Sequence, residues 1–205
     1  MKETTMGTGE RPGMTSGLMA FADESVRTSI ASPMYLIAAT IIPENASLAP
    51  LEMILPKGAS KLHWRDLGVK AQRESLSRIA ELGSESTIVI ASPIDPRKQE
   101  RARRKDLETL LPLLEGMGIA KLIMESRFPA ADAKDMALYR SMRKKGLINA
   151  IELAFASPEE EHRLWIPDQI LGAYSDATVG SRSADSWRQE WDALKGSVST
   201  VRAML

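Results

Sequence analysis

Short continuous apolar runs alternate along this chain with longer segments in which apolar residues recur every three or four positions. That is the pattern of strands and helices taking turns. The runs are Gly17–Phe21, Met34–Ile42, Thr87–Ala91, Ile119–Met124 and Leu147–Phe155, and each reads as a strand. Met34–Ile42 is apolar throughout, as a strand covered on both faces should be, and Pro43 stops it. Between the first two runs, Val26–Pro33 is short and polar and ends in Ser32-Pro33, which suits a turn between antiparallel strands.

The helical spacing predicts helices over Ser47–Leu55, Val69–Leu82, Gln99–Met117, Asp132–Lys145 and Asp168–Thr178. Pro112 lies inside the third and predicts a kink or a split there. Residues 44–84 form a helical insertion between the second and third strands. Beyond Gly180, the segment Ala184–Leu205 predicts a terminal amphipathic helix with Trp187, Trp191, Leu194 and Val198 on one stripe. That stripe either docks on the domain's own surface or meets a partner protein or a second copy in a homodimer. Met1–Ser16 mixes Gly, Thr, Pro and both charges without an apolar segment, so it reads as a loose tail and not a signal peptide. The organisation expected is a tail over 1–16, a domain over 17–180 and a helical appendage over 181–205.

A length of 205 residues with 43% hydrophobic content supplies one ordinary domain with a full core. Lys+Arg and Asp+Glu balance at 27 each, so nucleic acid would have to be drawn by a local patch and not by a global field. Cysteine is absent, which removes thiolate metal sites and cysteine nucleophiles. The longest apolar run, Met34–Ile42, is far short of the roughly 18 residues of a membrane helix, so no membrane partner and a cytoplasmic location are expected. No P-loop or Gly-x-Gly-x-x-Gly fingerprint is present.

Within this frame the chemistry is carried by acids. The first strand ends in Asp23-Glu24, and an ionised carboxylate left unpaired beside a core costs several kcal/mol. Glu125 closes the fourth strand and Asp168 opens a helix. With the first strand central in a mixed sheet, the second and third antiparallel beside it and the fourth and fifth parallel on its other side, Asp23 and Glu125 share the sheet edge where α/β ligand crevices form. Asp168 is brought toward both. Each acid also has a plainer explanation: a strand-end turn for Asp23, a pairing with Arg127 for Glu125, and a favourable helix dipole for Asp168. Three converging carboxylates repel unless a hard cation such as Mg²⁺ or Mn²⁺ neutralises them. Two such ions about 3.5–4 Å apart can activate water and stabilise the leaving oxygen of a phosphodiester.

Glu24 points to the face opposite Asp23 if the strand continues that far, and is the candidate additional acid. Lys61 and His63, in Lys61-Leu62-His63-Trp64, are candidates for the substrate phosphate, with a histidine packed beside Trp64 as the alternative. Arg101 and Arg104, in the basic cluster Arg97–Lys105, either track a phosphate backbone or form a solvated helix face.

The strand end Phe21-x-Asp23-Glu24-Ser25, the Glu125 strand end and Ile166-Pro167-Asp168-x-x-x-Gly172-Ala173 resemble a large prokaryotic family described as a domain of unknown function. The resemblance runs from about Gly17 to Thr178. It implies a ribonuclease H-like fold, a mixed five-stranded sheet with flanking helices, and Asp23, Glu125 and Asp168 as metal ligands. Val26 stands where members usually carry Gly, and Glu125 where Asp is commoner. The function expected is divalent-metal-dependent hydrolysis of a nucleic-acid phosphodiester. A non-catalytic interaction module, with or without a single structural ion, is the alternative.

Overall fold

The computed structural model describes residues 18–204; the tail expected over 1–16, Gly17 and Leu205 lie outside the described residues. Six strands form one mixed sheet in the order β5-β4-β1-β2-β3-β6. They are β1 (Leu18–Arg27), β2 (Met34–Ile41), β3 (Glu85–Ala91), β4 (Ile119–Glu125), β5 (Glu152–Ala156) and β6 (Val198–Arg202). β1 pairs antiparallel with β2, and β2 antiparallel with β3. β1 pairs parallel with β4, β4 with β5, and β3 with β6. The expected arrangement of the first five strands is therefore present, and a sixth extends it beyond β3.

The helices are α1 (Ala49–Glu52), α2 (Val69–Glu81), α3 (Gln99–Gly116), α4 (Pro129–Lys144), α5 (Trp165–Val179) and α6 (Arg188–Leu194). Because side chains alternate along a strand, β1 feeds two separate cores. Phe21 joins Leu36, Ile88 and the α5 residues Ile166, Ile170 and Ala173 on one face. Ala20 and Ala22 join Ile37, Leu107, Leu110 and Met142 of the α3 and α4 layer on the other.

Four expectations change. The terminal segment is not one helix: α6 ends at Leu194, and Val198-Ser199-Thr200-Val201 forms the edge strand β6, as its β-branched residues favour. Trp187 and Trp191, 0% and 4% exposed, pack into the domain's own core, the first of the two readings given for the stripe. The fifth strand begins at Glu152 and not Leu147, because the amides of Asn149, Ala150 and Ile151 turn onto the Glu115 carboxylate. α3 runs unbroken through Pro112, with Leu110, Leu111 and Leu114 all buried against the sheet. α4 starts earlier than expected, with Pro129 in its first turn, where a missing amide proton costs nothing. Among the described residues no helix is long and apolar enough to cross a membrane.

Candidate active site

The carboxyl ends of β1 and β4 open into a cleft of about 460 Å³ lined by Asp23, Lys61, His63, Glu125 and Asp168, among others. Asp23 and Phe21 are two residues apart in an extended strand and so share the α5 face. On that face Asp23 looks toward the first turn of α5, which carries Asp168. The β1–β4 register pairs Ala22 with Met124, which sets Asp23 beside Glu125 at the end of the ladder. Three acids far apart in sequence thus meet at one sheet edge.

Their partners differ. Glu125 accepts a hydrogen bond from Lys61 Nζ at 3.0 Å. Asp168 accepts from His63 Nδ1 at 2.9 Å through Oδ1, and from the Trp64 amide at 2.7 Å through Oδ2. Asp23 is 9% exposed and accepts only from the neighbouring Glu24 amide, at 2.7 Å, with no basic side chain at salt-bridge distance among the described residues. Burial, followed by the charges of Asp168 and Glu125, pushes the Asp23 carboxyl well above the ordinary aspartate value of 3.8; Lys61 and Arg103 oppose this. On Lys61 burial works against the charge, but the Glu125 hydrogen bond and the surrounding acids outweigh it and raise its pKa. His63 is raised chiefly by its hydrogen bond to Asp168.

The segment carrying Lys61 and His63 is strapped onto α5 by one stripe of residues a helical turn apart. Asp168 holds the Trp64 amide. Gly172 leaves room for the indole, since a Cβ there would lie 2.1 Å from Trp64 Cγ. Asp176 accepts from Trp64 Nε1 at 2.9 Å through one oxygen and from Arg27 at 3.0 Å through the other. Trp64 also meets Trp187 edge to face at 5.4 Å. The Asp-x-x-x-Gly spacing of the sequence therefore has a packing cause: it seats the strap.

Glu24 lines the same cleft, but from the opposite side of β1. β1 continues to Arg27, so its side chain turns to the α3 face, where it meets Arg103, Arg127 and the Tyr35 hydroxyl. Arg101 and Arg104 do not line the cleft; Arg104 pairs with Glu108 at 2.9 Å on the exposed side of α3. The basic residues that do line it include Arg27, Arg65, Arg103 and Arg127. Arg27 was legible from strand alternation, two and four residues on from Ser25 and Asp23 on the same face, whereas Arg65 carries no sequence signal beyond its nearness to His63.

The donors on this face are hard oxygens, a set that suits Mg²⁺ or Mn²⁺ in preference to softer metals. Among the described residues no group of three His, Asp or Glu side chains stands ready at metal-coordinating distance. Lys61 and His63 take up two of the three carboxylates. A scan against protein-family models gives no match to this chain, and neither does a search of curated proteins.

Proposed function

We propose that this protein is a divalent-metal-dependent nuclease on a ribonuclease H-like fold. The observation that carries the reading is Asp23, a recessed carboxyl with no counter-ion among the described residues, set beside two further acids delivered by β4 and α5. What sets Asp23 apart from a merely buried acid is that it opens on a cleft beside two further carboxylates, whose charges add to burial in working against its ionised form. The β5-β4-β1-β2-β3 order, with Asp23 and Glu125 side by side where the parallel β1–β4 ladder ends, supports the same reading.

Asp23, Glu125 and Asp168 would hold the ion. When bound, the metal polarises a phosphoryl oxygen and lowers the pKa of a bound water. Lys61 supplies a positive charge among the acids, able to move from Glu125 to a phosphate oxygen as the substrate arrives. His63 keeps its orientation through Nδ1 and Asp168, which leaves Nε2 as the nitrogen to donate to the phosphate. Cleavage of a labelled oligonucleotide with Mn²⁺ tests the assignment. Asp23→Asn should lower the rate at least about a hundredfold, the scale of losing a main electrostatic contributor.

The second reading, a non-catalytic module whose acids serve structure, draws on one observation: both Asp168 oxygens are engaged in fixing the strap. It has no use for Asp23. The two readings part over whether Asp23→Asn loses a function or only gains stability.

A further inference from the structure

The three cleft acids are not equally open to a cation. Asp23 meets only the Glu24 amide, whereas Glu125 holds a positive charge, the Lys61 ammonium, 3.0 Å from its Oε1. Glu125, Asp23 and Asp168 all act on that ammonium, so it sits in the combined field of the same three carboxylates proposed to hold the metal. Two cations that share one set of acids repel each other, and the one in place weakens uptake of the other.

The Lys61–Glu125 contact is not needed to fasten the strap. Trp64 is tied to α5 through its amide on Asp168 and its indole on Asp176, and the Leu62 carbonyl accepts from Gln169 Nε2 at 3.3 Å. Leu62 and Trp64 are buried, while residues 57–60, on the other side of Lys61, are exposed. The Lys61 side chain is 36% exposed, and Glu125 is its one hydrogen-bond partner among the described residues. A single partly exposed pair of this kind adds little to stability. The flexible four-carbon stem lets the ammonium leave Glu125 while the backbone of the strap stays in place.

We infer that Lys61 is a latch that couples metal uptake to phosphate binding. On Glu125 it weakens the site for a divalent cation; on a phosphate oxygen it leaves Glu125 free, so that cation and phosphate enter together. The inference rests on the nuclease reading and names how that site is regulated. Such coupling is reciprocal: phosphate tightens the metal by the same factor by which the metal tightens phosphate. The free protein therefore holds metal weakly and fills its site as the substrate arrives.

Calorimetric titration of Mn²⁺ into the full chain, with and without dimethyl phosphate at constant ionic strength, measures both sides of the coupling. Lys61→Met keeps the stem and removes the charge; it should bind Mn²⁺ about tenfold more tightly than the wild type, a factor ordinary for coupled sites. Dimethyl phosphate should close most of that gap, tightening Mn²⁺ about fivefold more in the wild type than in Lys61→Met. Lys61→Arg, which keeps the charge, should stay near the wild-type affinity. So should Lys57→Met, which removes an exposed charge from the same loop. Equal Mn²⁺ affinity of the wild type and Lys61→Met, an equal gain in Lys57→Met, or the same effect of dimethyl phosphate on the wild type and Lys61→Met would each overturn the inference. The reading it rests on fails differently. If Mn²⁺ binds the wild type and Lys61→Met alike and Asp23→Asn abolishes it, the latch falls and the metal site stands. If none of these proteins takes up Mn²⁺, the metal site falls and the latch with it. If the latch behaves as described and no oligonucleotide is cleaved, the nuclease falls and the latch stands.

Discussion

Asp23 and Glu24 are adjacent, both carboxylates, and opposite in their treatment. Glu24, on the α3 face, is met by Arg103, Arg127 and the Tyr35 hydroxyl. Arg103 in turn reaches Asp135 at 2.7 Å, and Arg127 reaches Glu100 at 2.7 Å. Asp23, on the α5 face, has one neighbouring amide and two more acids nearby. The α3 face is built as structural polar interiors are, with each charge answered. The α5 face leaves a carboxyl without a counter-ion among the described residues where a cleft opens, and that contrast separates a site from a scaffold.

The largest effect that sharpens this contrast is expected on the scaffold side. Arg103→Ala strands Glu24 and Asp135 without their main partner and should cost about 3–5 kcal/mol in denaturant unfolding. Gly172→Ala comes next, because its Cβ would enter the Trp64 ring. A loss of about 1–3 kcal/mol is expected, together with a shift in tryptophan fluorescence as the strap lifts.

Asp106 is the exception on the α3 side, fully buried with neither oxygen hydrogen-bonded. Burial pushes its carboxyl up to about 8 against the pull of Arg103, so it stays neutral and needs no counter-ion. The folded protein thus keeps a proton that the unfolded chain releases near 3.8, and stability falls as pH rises from there to about 8. Asp106→Leu should flatten that slope in thermal melts from acid to mildly alkaline pH. The smallest effect is expected at the site itself. Asp23→Asn removes a recessed carboxyl that has no counter-ion among the described residues and should raise stability by about 1 kcal/mol in the same melts.

Much of this was legible in the sequence where one periodicity dominated. Continuous apolar runs marked β1 to β5, and their order carried Asp23, Glu125 and Asp168 to one edge. On the α5 stripe the sequence offers Asp168 as a ligand or as an early acid of the helix, but nothing in Asp168-x-x-x-Gly172 announces that Trp64, from a different segment, fills the gap. At the C-terminus, Trp187 and Trp191 set a helical period that was extended too far across Val198–Val201, where β-branched residues favour a strand. On the basic helix the solvated-face alternative holds for Arg104, which is exposed and paired with Glu108. Sequence gives charge density on α3, but which arginine turns inward is decided by the sheet, and Arg103 is the one enclosed.

The central claim is that Asp23 is left unpaired for a cation that Glu125 and Asp168 help to hold. Calorimetric titration of Mn²⁺ into the wild type, Asp23→Asn and Asp168→Asn tests it without a substrate. The account predicts uptake by the wild type that both substitutions abolish. Uptake that survives Asp23→Asn unchanged, or none by the wild type at millimolar metal, would contradict it.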